Sequence, residues 1–531
     1  MTHAPMPSKD QNGSHGFSPA IVMLSIVFFI KAVYLAFFVT PLWDIPDETG
    51  HLAYVMQIAA GEGIPVLGTA MIPAEIMSHV RQVESAAAVS NWIAQHPPLY
   101  YFVAAVPYWV AQHFTSDVEI LFRVPRLIAA LCGALLVLVL YRTARLGGLS
   151  DPAALCLAGC VAWVPMFSHL SSGTNHDVPL FLAGALAVHY LARFVLRHDV
   201  RDAYVAAIWL SVAGAMKMTA WVLLPPFVLL VAWELRGDWR RWTVHLFGVG
   251  VTAVSMPAAW MVRNVLVYGN PTYLDRTDRT WRLDEPLQRS FLEFLNTQPV
   301  FEHFLLNFYG IVGWSGTGAG QLQWFQLGGF PRTMFTAALL IFGAVLLVQF
   351  YQAGRRPSLR GESSRFADGM VSSWARRLGL WPYASILMAT MVWGVFAVLT
   401  YFSMKGGVEM NLRLVAIATI LALGAGAAIA VLFEGRDDHR LFLYGLATFL
   451  FFSLVVLIQI YETHLLDGRL RATHGRYFYP VLPWLLLSLS LALAGRAWGE
   501  RLLMFAFPLM VLAEVDAYIS QVLPFIGGGA R

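Results

Sequence analysis

The stretch "QHPPLYYFVAAVPYWVAQ", residues 95–112, decides how the rest of the chain is threaded. It is apolar enough to enter a membrane, yet it is short, is interrupted by Pro107, and carries Tyr100, Tyr101, Tyr108 and Trp109. Aromatic residues gather at the membrane–water boundary, and a crossing helix needs about 20 apolar residues to pass about 30 Å of hydrocarbon. The stretch therefore reads as a helix lying in the interface.

Composition makes the membrane setting unavoidable. The chain has 531 residues, 58% hydrophobic and only 13% charged, with a mean hydropathy of +0.60, outside the range of soluble globular proteins. Long apolar runs rather than an alternating pattern call for helices and not a β-barrel. With Pro97 to Gln112 at the surface, thirteen spans follow, at about 21–40, 124–141, 152–170, 178–196, 203–216, 219–235, 243–262, 333–352, 381–402, 411–433, 441–461, 476–494 and 502–522. Every second loop is then basic: Arg142 and Arg145; Arg193, Arg197 and Arg201; Arg236, Arg240 and Arg241; the run from Arg355 to Arg377; Arg436 and Arg440; Arg496 and Arg501. Basic loops stay on the cytoplasmic side, whereas a crossing at 98–113 would export nearly all of them.

Residues 1–18 are polar and are expected to be a disordered cytoplasmic N-terminus, followed by one membrane domain over 19–531 without repeats. The first apolar segment has a single upstream cation, Lys9, and no small-residue cleavage site, so it is expected to be a retained anchor. Cys132, Cys156 and Cys160 all lie in apolar segments and read as packing residues, not a disulfide or zinc framework. A net charge of +4 gives no footprint for nucleic acid.

The chemistry is expected in the outer loops. Two are long: 41–123, with amphipathic sequence for surface helices, and 263–332. The first opens with "PLWDIPDETGHLAYV", residues 41–55, which sets Asp44, Asp47, Glu48 and His51 at the mouth of the first span. A second acidic element, "GTNHDVP", brings Asn175, His176 and Asp177. Cations face the same side: Lys217 in "GAMKMTAW", Arg263 beside Asn264 in "AWMVRNVLVYGNP", and Arg476 with His474 and Tyr477 in "ATHGRYFYPVLP". Lys217 interrupts a long stretch otherwise nearly free of charge, and an ionisable group there is a functional candidate by default. Carboxylates beside cations suit a hydroxyl nucleophile, whose proton a carboxylate accepts, and a phosphate leaving group, which arginine and lysine hold. The same residues also admit structural readings. Asp44, Asp47 and Asp177 could cap helices, and Arg263 and Arg476 could snorkel to headgroups.

In their order along the chain, "PDETGHLAYV", "QHPPLYYFVAAV", "SSGTNHDVPLFL", "AMKMTAW", "WMVRNVLVYGNP" and "HGRYFYPVLP" resemble the GT-C superfamily of membrane glycosyltransferases. They look closest to a bacterial predicted membrane protein family with D-E-P-x-H-F and G-R-Y-x-x-P elements, and are similar to protein O-mannosyltransferases and lipid A aminoarabinose transferases. Two departures stand out. Thr49 replaces the proline after D-E, and His51 lies one residue further from Glu48 than the mannosyltransferase histidine.

The resemblance implies an all-α polytopic fold of about thirteen transmembrane helices, with surface helices in the first outer loop, in a bacterial inner membrane with the site facing the periplasm. It implies a polyprenyl-phosphate-linked sugar donor, a glycan, lipid or protein acceptor, and inverting transfer. By it, Asp47 is the catalytic base with Glu48 and Asp177 in the catalytic group. Lys217, Arg263 and Arg476 bind donor phosphate, and Asp44, His51, His96, Asn175, His176, Asn264, His474 and Tyr477 support them. No metal is expected to be required, although Asp47, Glu48, Asn175 and Asp177 are oxygen donors of the kind that bind Mg²⁺ or Mn²⁺. The competing readings are a transporter or flippase for a lipid-linked sugar, and a non-catalytic polyprenyl-lipid-binding subunit.

Overall fold

The computed structural model describes residues 17–81, 86–235, 239–271, 285–300, 437–470 and 474–528, with scattered positions between 283 and 345. The expected spans at 381–402 and 411–433, nearly all of 333–352, the Arg355–Arg377 run and most of the N-terminus lie outside the described residues. Among those described, the protein is helical apart from two short antiparallel pairs, Met71–Ile72 with Val89–Ser90 and Ile311–Val312 with Phe325–Gln326. Seven helices are long and apolar enough to cross a membrane, or eight if one bent pair is counted as a span. This is a polytopic, all-α membrane protein.

The first span is α1, Pro19–Tyr34, continued by a π-helical turn at Leu35–Val39. The segment 41–123, expected to be the first outer loop, includes α2 (Glu48–Ala59), α3 (Ala74–Arg81) and α4 (Leu99–Ala111). At 13 residues, α4 is about 20 Å long at 1.5 Å per residue, too short to cross. Tyr100, Tyr101, Ala104 and Tyr108 face the protein, while Phe102, Val106 and Trp109 are exposed. Its outward face is thus apolar, suited to lipid contact, while its tyrosines turn inward.

The bundle follows as α5 (Val118–Arg123), α6 (Arg126–Leu146), α7 (Asp151–Ala162), α8 (Pro165–Ser171), α9 (Asp177–Arg197), α10 (Val200–Gly214), α11 (Leu224–Leu235) and α12 (Trp239–Tyr268). After α13 (Phe291–Thr297) come α14 (Asp437–Asp467), α15 (Leu482–Leu493), α16 (Ala497–Ala517) and α17 (Leu523–Gly528). The span expected at 152–170 is not straight. It bends by 69° between α7 and α8, because Val164 is extended before Pro165, whose ring excludes a helical predecessor and removes an N–H. The span expected at 476–494 is shorter, since Gly475–Phe478 is a 3₁₀ turn and α15 begins only at Leu482.

Alanines and glycines line the centre of the bundle. Ala129, Ala130 and Ala134 of α6 and Ala183, Ala185 and Ala187 of α9 are buried, and such small residues let helices approach closely without a hydrophobic drive from lipid. Lys31 of α1 staples the periphery. Its ammonium donates to the Ala162 carbonyl and Ser168 Oγ at 2.9 Å each and to Glu514 Oε2 of α16 at 2.7 Å. The basic ends of successive helices fall together, tied by pairs such as Arg193–Asp202 at 3.1 Å and Arg440–Glu234 at 3.3 Å. At the opposite ends lie residues 40–48, 172–177, 215–218 and 474–478.

Candidate active site

The site begins with how α1 ends. The π-helical turn leaves carbonyls without their usual helical partners, and the Arg126 guanidinium takes three of them: Ala36 and Thr40 at 2.9 Å each and Pro41 at 2.8 Å. Arg126 also grips Glu48, through Nε to Oε1 and Nη2 to Oε2, both at 2.8 Å. The Glu48 oxygens accept two further bonds, from the amide of Trp43 at 2.8 Å and of Thr174 at 2.9 Å. Arg126 is 0% and Glu48 2% exposed. The pair therefore joins α1, the turn 41–47, α6 and the 172–176 loop. A buried charge pair survives only when its remaining hydrogen-bond capacity is filled, as it is here.

Asp47 stands on this clamp but belongs to another network. Its backbone is left-handed, with φ 65°, a conformation that costs a non-glycine residue about 1 kcal/mol or more and that clusters at functional sites. Oδ1 accepts from the Trp92 indole at 3.3 Å, and Oδ2 lies 3.4 Å from Arg476 Nη2. The side chain remains 32% exposed. Arg476 also meets Asp177, Nε to Oδ2 at 3.5 Å, while Lys217 donates to Asp177 Oδ1 at 2.7 Å. A chain of alternating charge results: Asp47, Arg476, Asp177, Lys217. The Tyr477 ring covers the cationic end, 5.1 Å from Lys217 Nζ. Burial opposes the charge on Arg476, but Asp177, Tyr477 and Asp47 more than offset it, and its pKa is raised.

Local backbone chemistry sets each member. Asn175 Oδ1 accepts from the amides of Asp177 and Val178 at the start of α9, and Asn175 Nδ2 donates to the carbonyls of Leu170 and Gly173. Lys217 occupies the extended residue between α10 and the 3₁₀ turn Met218–Leu223. Arg476 sits in the 3₁₀ turn after Gly475, where a Cβ would come within 2.4 Å of the Phe308 backbone. Only glycine allows that approach.

A cluster of rings flanks the charge chain. Tyr101 Oη lies 2.9 Å from His51 Nδ1 and 3.1 Å from His176 Nδ1. Tyr54 stacks on Tyr101 with centroids 3.7 Å apart, and the His96 ring packs 4.6 Å from that of His176. Burial first, then the neighbouring His96, pushes His51 well below the ordinary histidine range. Burial, then Lys217, does the same to His176 and takes His96 down to about 3. At neutral pH these imidazoles are uncharged.

The expected neighbours are brought together closely: Asp47 and Asp177 share Arg476. Other expectations need correction. Asp44 is buried, 2% exposed, with Oδ2 at 3.5 Å from His169 Nε2. Glu48 is sealed by four donor groups and holds the turn rather than lining the opening. Arg263 stands apart from both carboxylates, donating to the Pro65 carbonyl at 2.8 Å and the Tyr268 hydroxyl at 2.9 Å. Asn264 bonds the Pro271 carbonyl, and the ring of buried His474 lies tilted against that of Tyr477, centroids 5.9 Å apart. Arg126, Tyr54 and Trp92 were not singled out from the sequence, and Tyr101 was read there only as an interfacial aromatic. For Arg126 a signal existed, a charge within an apolar span.

The carboxylates do not form a metal-binding set. Among the described residues no three His, Cys, Asp or Glu side chains are grouped to hold an ion, and the oxygens of Glu48 and Asp177 face Arg126, Lys217 and Arg476. A divalent cation would have to displace those groups.

Residues 95–261 match the dolichyl-phosphate-mannose-protein mannosyltransferase family. That segment includes His96, Arg126, Asp177 and Lys217. No curated protein sequence matches the chain. Among solved structures, the chain is similar to ArnT from Cupriavidus metallidurans bound to undecaprenyl phosphate, at 16% identity over 89% of this chain and 76% of that one, TM-score 0.36. It is similar to the Archaeoglobus fulgidus oligosaccharyltransferase in complex with Zn and sulfate, at 12% identity over 94% of this chain and 53% of that one, TM-score 0.41. It is also similar to the arabinosyltransferase EmbB from Mycobacterium smegmatis, at 14% identity over 98% of this chain and 44% of that one, TM-score 0.31. The chain thus spans about half the length of the last two. By the motifs in its sequence and by its mannosyltransferase-like segment, the chain resembles the GT-C membrane glycosyltransferases.

Proposed function

We propose that the protein is an inverting glycosyltransferase that moves a sugar from a polyprenyl-phosphate donor to a hydroxyl of a glycan, lipid or protein acceptor, at the periplasmic mouth of a bacterial inner membrane. The observation that carries this reading is the position of Arg476 between Asp47 and Asp177, with Lys217 on the far oxygen of Asp177. Two cations are thereby concentrated beside one accessible carboxylate.

In this mechanism the acceptor O–H gives its proton to Asp47. The oxygen attacks the anomeric carbon, and the bond from that carbon to the phosphate oxygen breaks on the opposite face. The electron pair leaves with the phosphate, whose charge Arg476 and Lys217 meet. Preorganised cations act strongly in a partly dry site because they need not reorient as charge develops. Asp177 serves by holding those cations rather than by taking a proton. Both of its oxygens face a cation, which makes it a poor base; Asp47 has only the long Arg476 contact and an indole bond. Glu48 and Arg126 fix the left-handed turn that aims Asp47. Arg263 tethers the first outer loop to α12.

The experiment is mass spectrometry of polyprenyl-phosphate sugars and surface glycans in cells lacking the protein. Accumulated donor with an under-glycosylated acceptor supports transfer; unchanged glycans and donor contradict it.

A further inference from the structure

The Tyr101 hydroxyl lies within hydrogen-bond distance of two imidazole nitrogens, His51 Nδ1 and His176 Nδ1, and it has one proton to give. Both imidazoles are neutral, so each carries its own proton on one nitrogen only. If Tyr101 donates to one Nδ1, the other must be an Nδ1–H that donates to the Tyr101 oxygen. The two histidines are therefore forced into opposite tautomers, and the surroundings choose which is which. His176 Nε2 is 3.7 Å from Asp177 Oδ1. A lone pair there would face a carboxylate, whereas an Nε2–H is attracted to it. His176 is thus protonated on Nε2 and accepts from Tyr101, and His51 is protonated on Nδ1 and donates to Tyr101. The second nitrogen of His51 is left as a bare lone pair. It makes no hydrogen bond among the described residues and, unlike His96 Nδ1, is not fully enclosed, although the residue is only 3% exposed.

We infer that His51 Nε2 is a fixed hydrogen-bond acceptor at the mouth of the site, reserved for a substrate hydroxyl, either on the donor sugar or on the acceptor. His51 lies one helical turn after Asp47, its amide bonded to the Asp47 carbonyl at 3.1 Å. A hydroxyl bound there is brought to the same mouth as the proposed base. A substrate lacking that hydroxyl leaves the lone pair unmatched, so the residue sets specificity. This inference rests on the glycosyltransferase reading for its substrate, but not for the tautomer.

The tautomer is read first, by ¹⁵N NMR of histidine-labelled protein in detergent, with the His51 signal assigned by its loss in His51→Asn. An Nδ1–H tautomer is expected, turning into a mixture in Tyr101→Phe. An Nε2–H tautomer in the wild type overturns the inference whether or not the protein transfers sugar. The second arm uses the polyprenyl-phosphate sugar that accumulates in cells lacking the protein, together with its acceptor. His51→Asn keeps an amide N–H where Nδ1 stood but has nothing at Nε2, whereas His51→Gln places an amide oxygen near the Nε2 position. A rise of about tenfold in one KM with kcat little changed in the Asn variant, partly recovered in the Gln variant, is expected. Donor KM moves if the hydroxyl is on the sugar, acceptor KM if it is on the acceptor. Equal kinetics in wild type and the Asn variant contradict the inference, and so does equal loss in both variants. If no polyprenyl-phosphate sugar accumulates, the glycosyltransferase reading fails while the NMR result still decides the tautomer.

Discussion

Glu48 and Asp47 are neighbours in the chain, and the structure separates them into two electrostatic systems. Glu48 is 2% exposed and saturated by Arg126 and two amides. Asp47 is 32% exposed at its side chain and held by contacts of 3.3 and 3.4 Å. The first system is complete and has nothing left to offer a ligand. The second is loosely bound at one end and can exchange partners when substrate arrives. Adjacent carboxylates thus divide the work, one fixing the backbone and the other facing the chemistry.

The comparison can be broken from either side. Removing one partner of a sealed pair leaves an uncompensated buried charge, at about 3–5 kcal/mol. Arg126→Met should therefore cost the most stability, seen as a lower melting temperature in detergent and poor membrane yield. If Arg126→Met is as stable as wild type, the clamp is not holding the turn.

Lys217→Met and Arg476→Met should fold, because each leaves Asp177 with the other cation. Both should weaken polyprenyl-phosphate binding by about 2 kcal/mol, roughly thirtyfold, the worth of a charge-assisted hydrogen bond in a dry site. Arg476→Lys should recover only part, since lysine lacks the fork that reaches two carboxylates. Binding by isothermal titration is the check. Unchanged affinity in both Met variants assigns these cations to structure alone.

Arg263→Met should do less. It loses bonds to the Pro65 carbonyl and the Tyr268 hydroxyl, about 1–2 kcal/mol of loop anchoring, measured as faster hydrogen exchange in residues 61–68 with phosphate affinity nearly intact. A loss of phosphate affinity as large as that in Arg476→Met would return Arg263 to the phosphate group.

A separate effect concerns pH. His51, His96 and His176 have folded pKa values below the unfolded one, so the unfolded chain binds more protons in acid. Stability is therefore full above about pH 6.5 and declines as the pH falls further. Melting temperatures between pH 7.5 and 5 should drop, and less steeply in His96→Gln. An increase toward acid would contradict the neutral assignment.

Much of this was legible because charge is rare in the chain. Lys217, Asp177 and Arg476 stood out against apolar surroundings, and the shortness of α4 was legible in its proline and aromatics. The pairing was not legible, since Asp47 and Arg476 are 429 residues apart and Glu48 and Arg126 are 78 apart, and no local pattern encodes such contacts. Arg126 carried the same signal as Lys217 but lay at a span end, where snorkelling explains a cation equally well. The break at Pro165 was written in the sequence. Hydropathy averaged across it and returned one straight span.

The central claim, that Asp47 acts in the chemistry while its neighbours hold the site together, is tested most directly by measuring turnover and donor binding side by side in Asp47→Asn. Asparagine keeps the size and the indole contact but loses the basicity. The account predicts turnover lower by about 10² to 10⁴ with donor affinity nearly unchanged. Normal turnover in Asp47→Asn, with turnover abolished and donor binding intact in Asp177→Asn, would contradict it and move the base to the second acidic element.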